Sequence, residues 1–144
     1  MLSDRLTTAV NRQINMELTA SYLYLAMASH CNSCDFPGMA KWFRAQSDEE
    51  LVHAGRLYDF LADVGARIEL FDIATPKQDF DSFLEVFQTA FAHEQRGSAA
   101  INELYELAFD EKAGGPDEAI AVASAVGGAE RAFLRRPTYA FRRA

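Results

Sequence analysis

Three stretches of this chain repeat an apolar residue at alternating spacings of four and three, and each repeat is broken near its middle by a glutamate. Such an alternation marks one seam of a long helix packed against other helices. The clearest seam runs Met39, Phe43, Gln46, Glu50, His53, Leu57, Phe60 and Val64. Its centre is an acid and an imidazole one helical turn apart in an otherwise greasy row. A carboxylate in a core costs several kcal/mol unless it is paired or coordinates a metal. Glu50 therefore needs partners from elsewhere in the chain.

A first helix is expected over about 3–30, opening at the capping pair Ser3-Asp4 and containing neither Gly nor Pro. Its seam reads Ser3, Leu6, Val10, Gln13, Glu17, Ala20, Tyr24 and Met27, with one acid. The turn-rich segment from Cys31 to Gly38 sends a second helix, about 39–64, back antiparallel, with Gly65 as its C-terminal cap. Lys41, Arg44, Asp48, Arg56, Asp59 and Asp63 fall mainly off its seam and read as a solvated face; Trp42 belongs either to the core or to a subunit interface. Residues 66–79 are long enough to travel the height of a bundle, so a third helix, about 82–112, runs parallel to the second. Its seam, Phe83, Phe87, Ala90, Glu94, Gly97, Ile101, Leu104 and Ala108, again holds one acid.

Beyond Gly114-Gly115-Pro116 the text becomes rich in Ala, Gly and Arg. A fourth helix over about 117–134 is poorly specified, and Glu130 is the acid on its seam. The expected architecture is an all-α four-helix bundle, one domain over residues 1–144, with a long crossover between the second and third helices.

A net charge of -7 disfavours nucleic acid and anionic membranes as partners and suits a protein that attracts cations. No apolar run has the ~20 residues of a membrane span, and no secretion signal is visible, so a cytoplasmic protein is expected. Cys31 and Cys34 form a single C-x-x-C without further ligands or a strand-helix context, and read as small loop residues.

Inward carboxylates on several helices plus one Glu-x-x-His are the ligand pattern of a non-haem di-metal site in a bundle core. Glu50 can bridge two metals while Glu17 and His53 hold one and Glu94 the other. Oxygen-rich ligation with one imidazole suits iron or manganese. Tyr24, seven residues beyond Glu17 on the same face, is either aromatic core or a hydrogen-bond or electron donor beside the metals.

Three segments resemble the ligand segments of bacterial non-haem ferritins: Asn15-Met16-Glu17-Leu18-Thr19-Ala20-Ser21-Tyr22-Leu23-Tyr24, Asp48-Glu49-Glu50-Leu51-Val52-His53-Ala54-Gly55-Arg56-Leu57, and His93-Glu94-Gln95. The similarity covers about the first three quarters of the chain, in the family's order. The resemblance implies a ferritin-like bundle in which Glu17, Glu50 and His53 bind the first iron of a di-iron ferroxidase centre and Glu50 and Glu94 the second. It further implies that Glu49 assists a third iron position and that Tyr24 stands beside the site. The implied activity is oxidation of Fe(II) by dioxygen or peroxide, with ferric mineral deposited in a homo-oligomeric shell of twenty-four subunits. Bacterioferritins carry a haem-binding methionine immediately after the glutamate of their Glu-x-x-His; Leu51 stands there, so no haem is expected.

Ferritins continue into a fourth core helix with aromatic residues and a Gln- and Glu-rich ligand segment, whereas this chain offers Gly127, Gly128, Ala129 and only Glu130. Two rival readings are a structural or assembly subunit with a decayed site and a related di-iron peroxide scavenger. The scavenger is disfavoured because a DNA-protecting mini-ferritin builds its site between subunits with another His-bearing motif. The abrupt change of character near Lys112 is what a shifted coding frame produces. Sequencing the gene is expected to show an uninterrupted alternative frame that encodes a Gln- and Glu-rich helix; its absence removes the frame-shift explanation.

Overall fold

The computed structural model describes residues 1–111 together with Ala121, Val122, Ser124 and Ala125. Helix α1 spans Asp4–Ser33, α2 spans Pro37–Asp63 and α3 spans Phe83–Asp110, and among the described residues there is no strand. Ala121, Val122, Ser124 and Ala125 are helical, but the fourth helix expected over 117–134, the proposed frame junction and Glu130 otherwise lie outside the described residues.

Capping chemistry starts α1 and α3 where the sequence places it. Ser3 Oγ accepts the Leu6 amide at 3.0 Å at the head of α1, and Ser82 Oγ accepts the Glu85 amide at 3.1 Å at the head of α3. Gly65, with φ of 68°, follows the last turn of α2 as the left-handed residue expected there.

The turn between α1 and α2 is tighter than expected. The loop forecast over 31–38 contracts to Cys34, Asp35 and Phe36, because the Cys34 and Phe36 amides close onto His30 and Cys31 carbonyls at 3.2 and 2.9 Å. Asp35 takes the left-handed conformation, φ 61°, and Pro37 opens α2 where no amide hydrogen is needed. The reading of Cys31 as a loop residue is therefore corrected, while Cys34 stays in the loop. Cys31 lies in the last turn of α1 and is buried, while Cys34 is its exposed C-cap, with Sγ 3.7 Å from His30 Nε2.

Contacts at both ends of the bundle fix the direction of α3. The His30 and Phe80 rings meet edge to face at 5.2 Å, and Phe36 and Phe83 do so at 4.2 Å. At the opposite end the Ser3 hydroxyl donates to the Glu111 carboxylate. Helix α3 thus runs antiparallel to α1 and parallel to α2, as the long crossover requires. None of the helices, among the described residues, is long and apolar enough to cross a membrane.

The crossover is tied to α1 by two asparagines one turn apart. Buried Asn11 donates to the Arg67 carbonyl at 2.9 Å and accepts the Glu69 amide at 2.8 Å, so its amide completes the backbone pairing that an extended segment lacks. Asn15 reaches the Phe71 and Asp72 carbonyls at 3.4 and 3.3 Å. Ile68 packs onto the core, while Leu70, Phe71 and Ile73 stay exposed.

Apolar side chains gather into two clusters along the bundle axis. One joins Leu6, Val10 and Ile14 to Leu57, Phe60, Leu61, Ile101, Leu104 and Val122; the other joins Tyr24, Met27 and Cys31 to Phe43, Phe80, Val86 and Ala90. Trp42 borders the second cluster, edge to face with Phe43 at 5.0 Å. Each fully buried large side chain contributes roughly 1.5–3 kcal/mol. The buried polar residues Gln13, Glu17, Gln46, Glu50 and His53 belong to neither cluster and fill the level between them.

Replacing Asn11 by Ala removes the partner of the Glu69 amide and of the Arg67 carbonyl in the crossover, two part-buried hydrogen bonds. A loss of about 1–3 kcal/mol in chemical denaturation is expected. Asn15→Ala, whose bonds are long and exposed, is expected to stay within ~0.5 kcal/mol.

Candidate metal centre

The antiparallel packing of α1 on α2 is close at the polar level, and two serines set its register. Ser47 Oγ donates to the Ser21 carbonyl at 2.8 Å, and the two hydroxyls lie 2.9 Å apart. Small side chains allow this approach, and the hydrogen bonds satisfy both hydroxyls in a buried place. One turn away, Glu17 on α1 faces Glu50 and His53 on α2.

One ligand atom from each of Glu17, Glu50 and His53 lies within 4.8 Å of the other two, and all three residues are buried. His53 Nδ1 is 3.0 Å from Glu50 Oε2 and 3.8 Å from Glu17 Oε2. The other oxygen of Glu17 accepts a 2.8 Å hydrogen bond from Gln13 Nε2. The Glu-x-x-His spacing puts acid and imidazole on one face of α2, and the serine-set register brings Glu17 opposite.

Burial raises the Glu17 carboxyl above its ordinary range; the His53 hydrogen bond opposes this and the neighbouring Glu50 adds to it. Burial works to lower the His53 imidazole, but the facing Glu17 carboxylate and the hydrogen-bonded Glu50 carboxylate outweigh it and carry it to about 9. A proton on His53 therefore holds the two carboxylates together when nothing else does. A divalent cation among the same atoms replaces that proton with a larger charge, and its oxygen-rich surroundings with one nitrogen suit iron or manganese.

The other residues singled out in the sequence are placed differently. Glu94, half-buried on α3, does not join the trio within that distance; its Oε1 accepts a hydrogen bond from the Tyr24 hydroxyl. Tyr24 is buried, with its ring stacked on Phe43 at 6.1 Å, so it fills the core and also carries a polar contact to Glu94. Glu49 is half-buried beside Glu50 and stands outside the trio. Sequence reasoning placed Gln13 on the seam but gave it no task; a glutamine one turn before an inward glutamate was the available signal.

Residues 7–115 match the pattern of the ferritin-like domain. The chain is 37% identical over 112 residues to the bacterial non-heme ferritin of Staphylococcus aureus, covering 78% of this chain and 68% of the relative. The protein of the same description from Staphylococcus haemolyticus is equally similar. The structure is similar to the open pore ferritin of the archaeon Archaeoglobus fulgidus, with a TM-score of 0.80 and 35% identity, over 88% of this chain and 74% of the other. A humanized archaeal ferritin gives 0.77 and 36%, over 93% and 87%.

The proton balance of the trio sets the pH response of the metal-free chain. The imidazole is raised by folding, so its contribution to stability is complete below its unfolded value near 6.5 and is lost as pH rises through about 9. Thermal unfolding of the metal-free chain is expected to shift to lower temperature across that interval, with a flatter response in His53→Ala.

Proposed function

The chain belongs to the ferritin-like family, and from that premise we propose that it takes up Fe(II), oxidises it with dioxygen or peroxide, and stores the ferric product as mineral within a homo-oligomeric shell. The observation that carries this reading is the buried trio Glu17, Glu50 and His53, gathered from two helices with one ligand atom of each within 4.8 Å of the others. Iron storage as such is the activity of the family; the ferroxidase step, the pair of irons and a twenty-four-subunit shell are the finer parts of the proposal. The same reading puts the protein in the cytoplasm, with no haem, no nucleic acid and no membrane among its partners.

In this reading Fe(II) is the substrate. Glu17 and His53 bind the first ion, Glu50 is shared, and Glu94 binds the second, with Glu49 and Glu130 as accessory acids for iron moving on. Each Fe(II) loses one electron to the oxidant, and the site lets the pair be delivered from adjacent ions. The residues supply position and charge. Gln13 holds one oxygen of Glu17 and leaves the other toward His53, so the carboxylate meets the cation in one orientation. Tyr24 orients Glu94 in the same way from the second cluster. His53 must give up its proton when iron arrives, so uptake releases acid.

Aerobic Fe(II) oxidation followed by absorbance tests the reading. The chain is expected to oxidise Fe(II) well above buffer, and Glu50→Ala/His53→Ala is expected to fall to the buffer rate, with Fe(II) affinity more than about 100-fold weaker because direct ligands are lost, beyond the cost of losing an outer partner. Equal rates for chain and buffer point instead to a structural ferritin-like subunit.

A further inference from the structure

Two buried glutamines bracket the acid and imidazole level, and only one has its polar atoms matched by that level. Gln13 donates to Glu17. Gln46 is 4% exposed, and its Oε1 has no hydrogen-bond partner among the described residues. An amide oxygen left dry costs about 1–3 kcal/mol, which a Met or Leu of similar volume at this place avoids.

Position 46 is one turn before Glu50 on the inward seam of α2, so the two side chains are neighbours. Cross-helix contacts fix its height. Ser47 is hydrogen-bonded to Ser21, and Phe43 stacks on Tyr24, so Gln46 stands level with the Ala20–Tyr24 turn of α1. That turn carries the hydroxyl that holds Glu94. Ala20, its seam residue, brings only a methyl group to this level. Residue 46 thus stands on the inward seam of α2 at a level between Glu50 and the partner of Tyr24, Phe43.

We propose that Gln46 Oε1 is an oxygen ligand for the second cation, the one shared by Glu50 and Glu94. The assignment rests on the metal-centre reading given under Proposed function. An amide oxygen is a hard, neutral donor of the kind such cations accept, and it adds coordination without a further negative charge in a buried place. The cation supplies the partner that Oε1 lacks among the described residues.

Co(II) titration of the full chain, followed by visible absorption, tests this together with thermal unfolding of the metal-free protein. Gln46→Met keeps the volume and removes the oxygen. The first Co(II) is expected to bind as before and the second about tenfold or more weakly, with metal-free stability unchanged or higher. Gln46→Glu places a charged oxygen at the same reach and is expected to tighten the second Co(II) while lowering metal-free stability. Unchanged affinity for both ions in Gln46→Met overturns the proposal, as does equal weakening of both or a single Co(II) in the unaltered chain. Should Glu50→Ala/His53→Ala bind Co(II) like the unaltered chain, the metal centre itself fails, and this assignment with it.

Discussion

The hydrogen bond of His53 to Glu50, at 3.0 Å, and its ion pair with Glu17, at 3.8 Å, are the constraint around which the bundle is arranged. Three ionisable groups have been withdrawn from water at one level, and each is tolerable only because the other two are there. Any slip of α1 along α2 by one turn would leave a buried carboxylate facing Leu, Val or Phe. The Ser21–Ser47 pair one turn away holds the same register by independent hydrogen bonds. Register and chemistry are therefore specified together.

This polar level divides the apolar core into two clusters, and the fold must compensate for the missing hydrophobic area elsewhere. The apolar ends do so with close-packed Leu, Val, Phe and Tyr side chains, and the crossover adds its own attachment through Asn11. A core built for stability alone would place apolar residues at positions 13, 17, 46, 50 and 53. The polar set gives up stability at the centre for a cluster of ionisable groups whose donor atoms are of the kind that hold cations.

The connection between the halves of the chain has the same logic. A tight turn makes α1 and α2 antiparallel neighbours, which suffices for the Glu17, Glu50 and His53 trio. Glu94 arrives by another route: the crossover returns the chain to the α1–α2 turn end, so α3 descends beside α1 and brings its acid to Tyr24. Family membership accords with this geometry, because the matched region covers all three helices and the crossover.

Amino-acid order alone determined the three helices, their inward faces and the long crossover, because a seam spaced by fours and threes can be apolar on one side only if it is helical. It also determined that Glu17, Glu50, His53 and Glu94 point inward, since each replaces an apolar residue in such a seam. Where the helices end was less legible: α1 runs on through Cys31 and Ser33 because backbone hydrogen bonds, which no composition rule registers, close the turn behind them. Tertiary structure alone decided that three of the four groups meet within 4.8 Å while Glu94 is held by Tyr24, that Gln13 clasps Glu17, and that the Gln46 oxygen is unmatched among the described residues. The reason is physical: periodicity fixes the direction in which a side chain leaves its helix, but distance across the core depends on the relative height of two helices. That height is set by contacts such as Ser21 with Ser47, whose partners lie far apart in the chain.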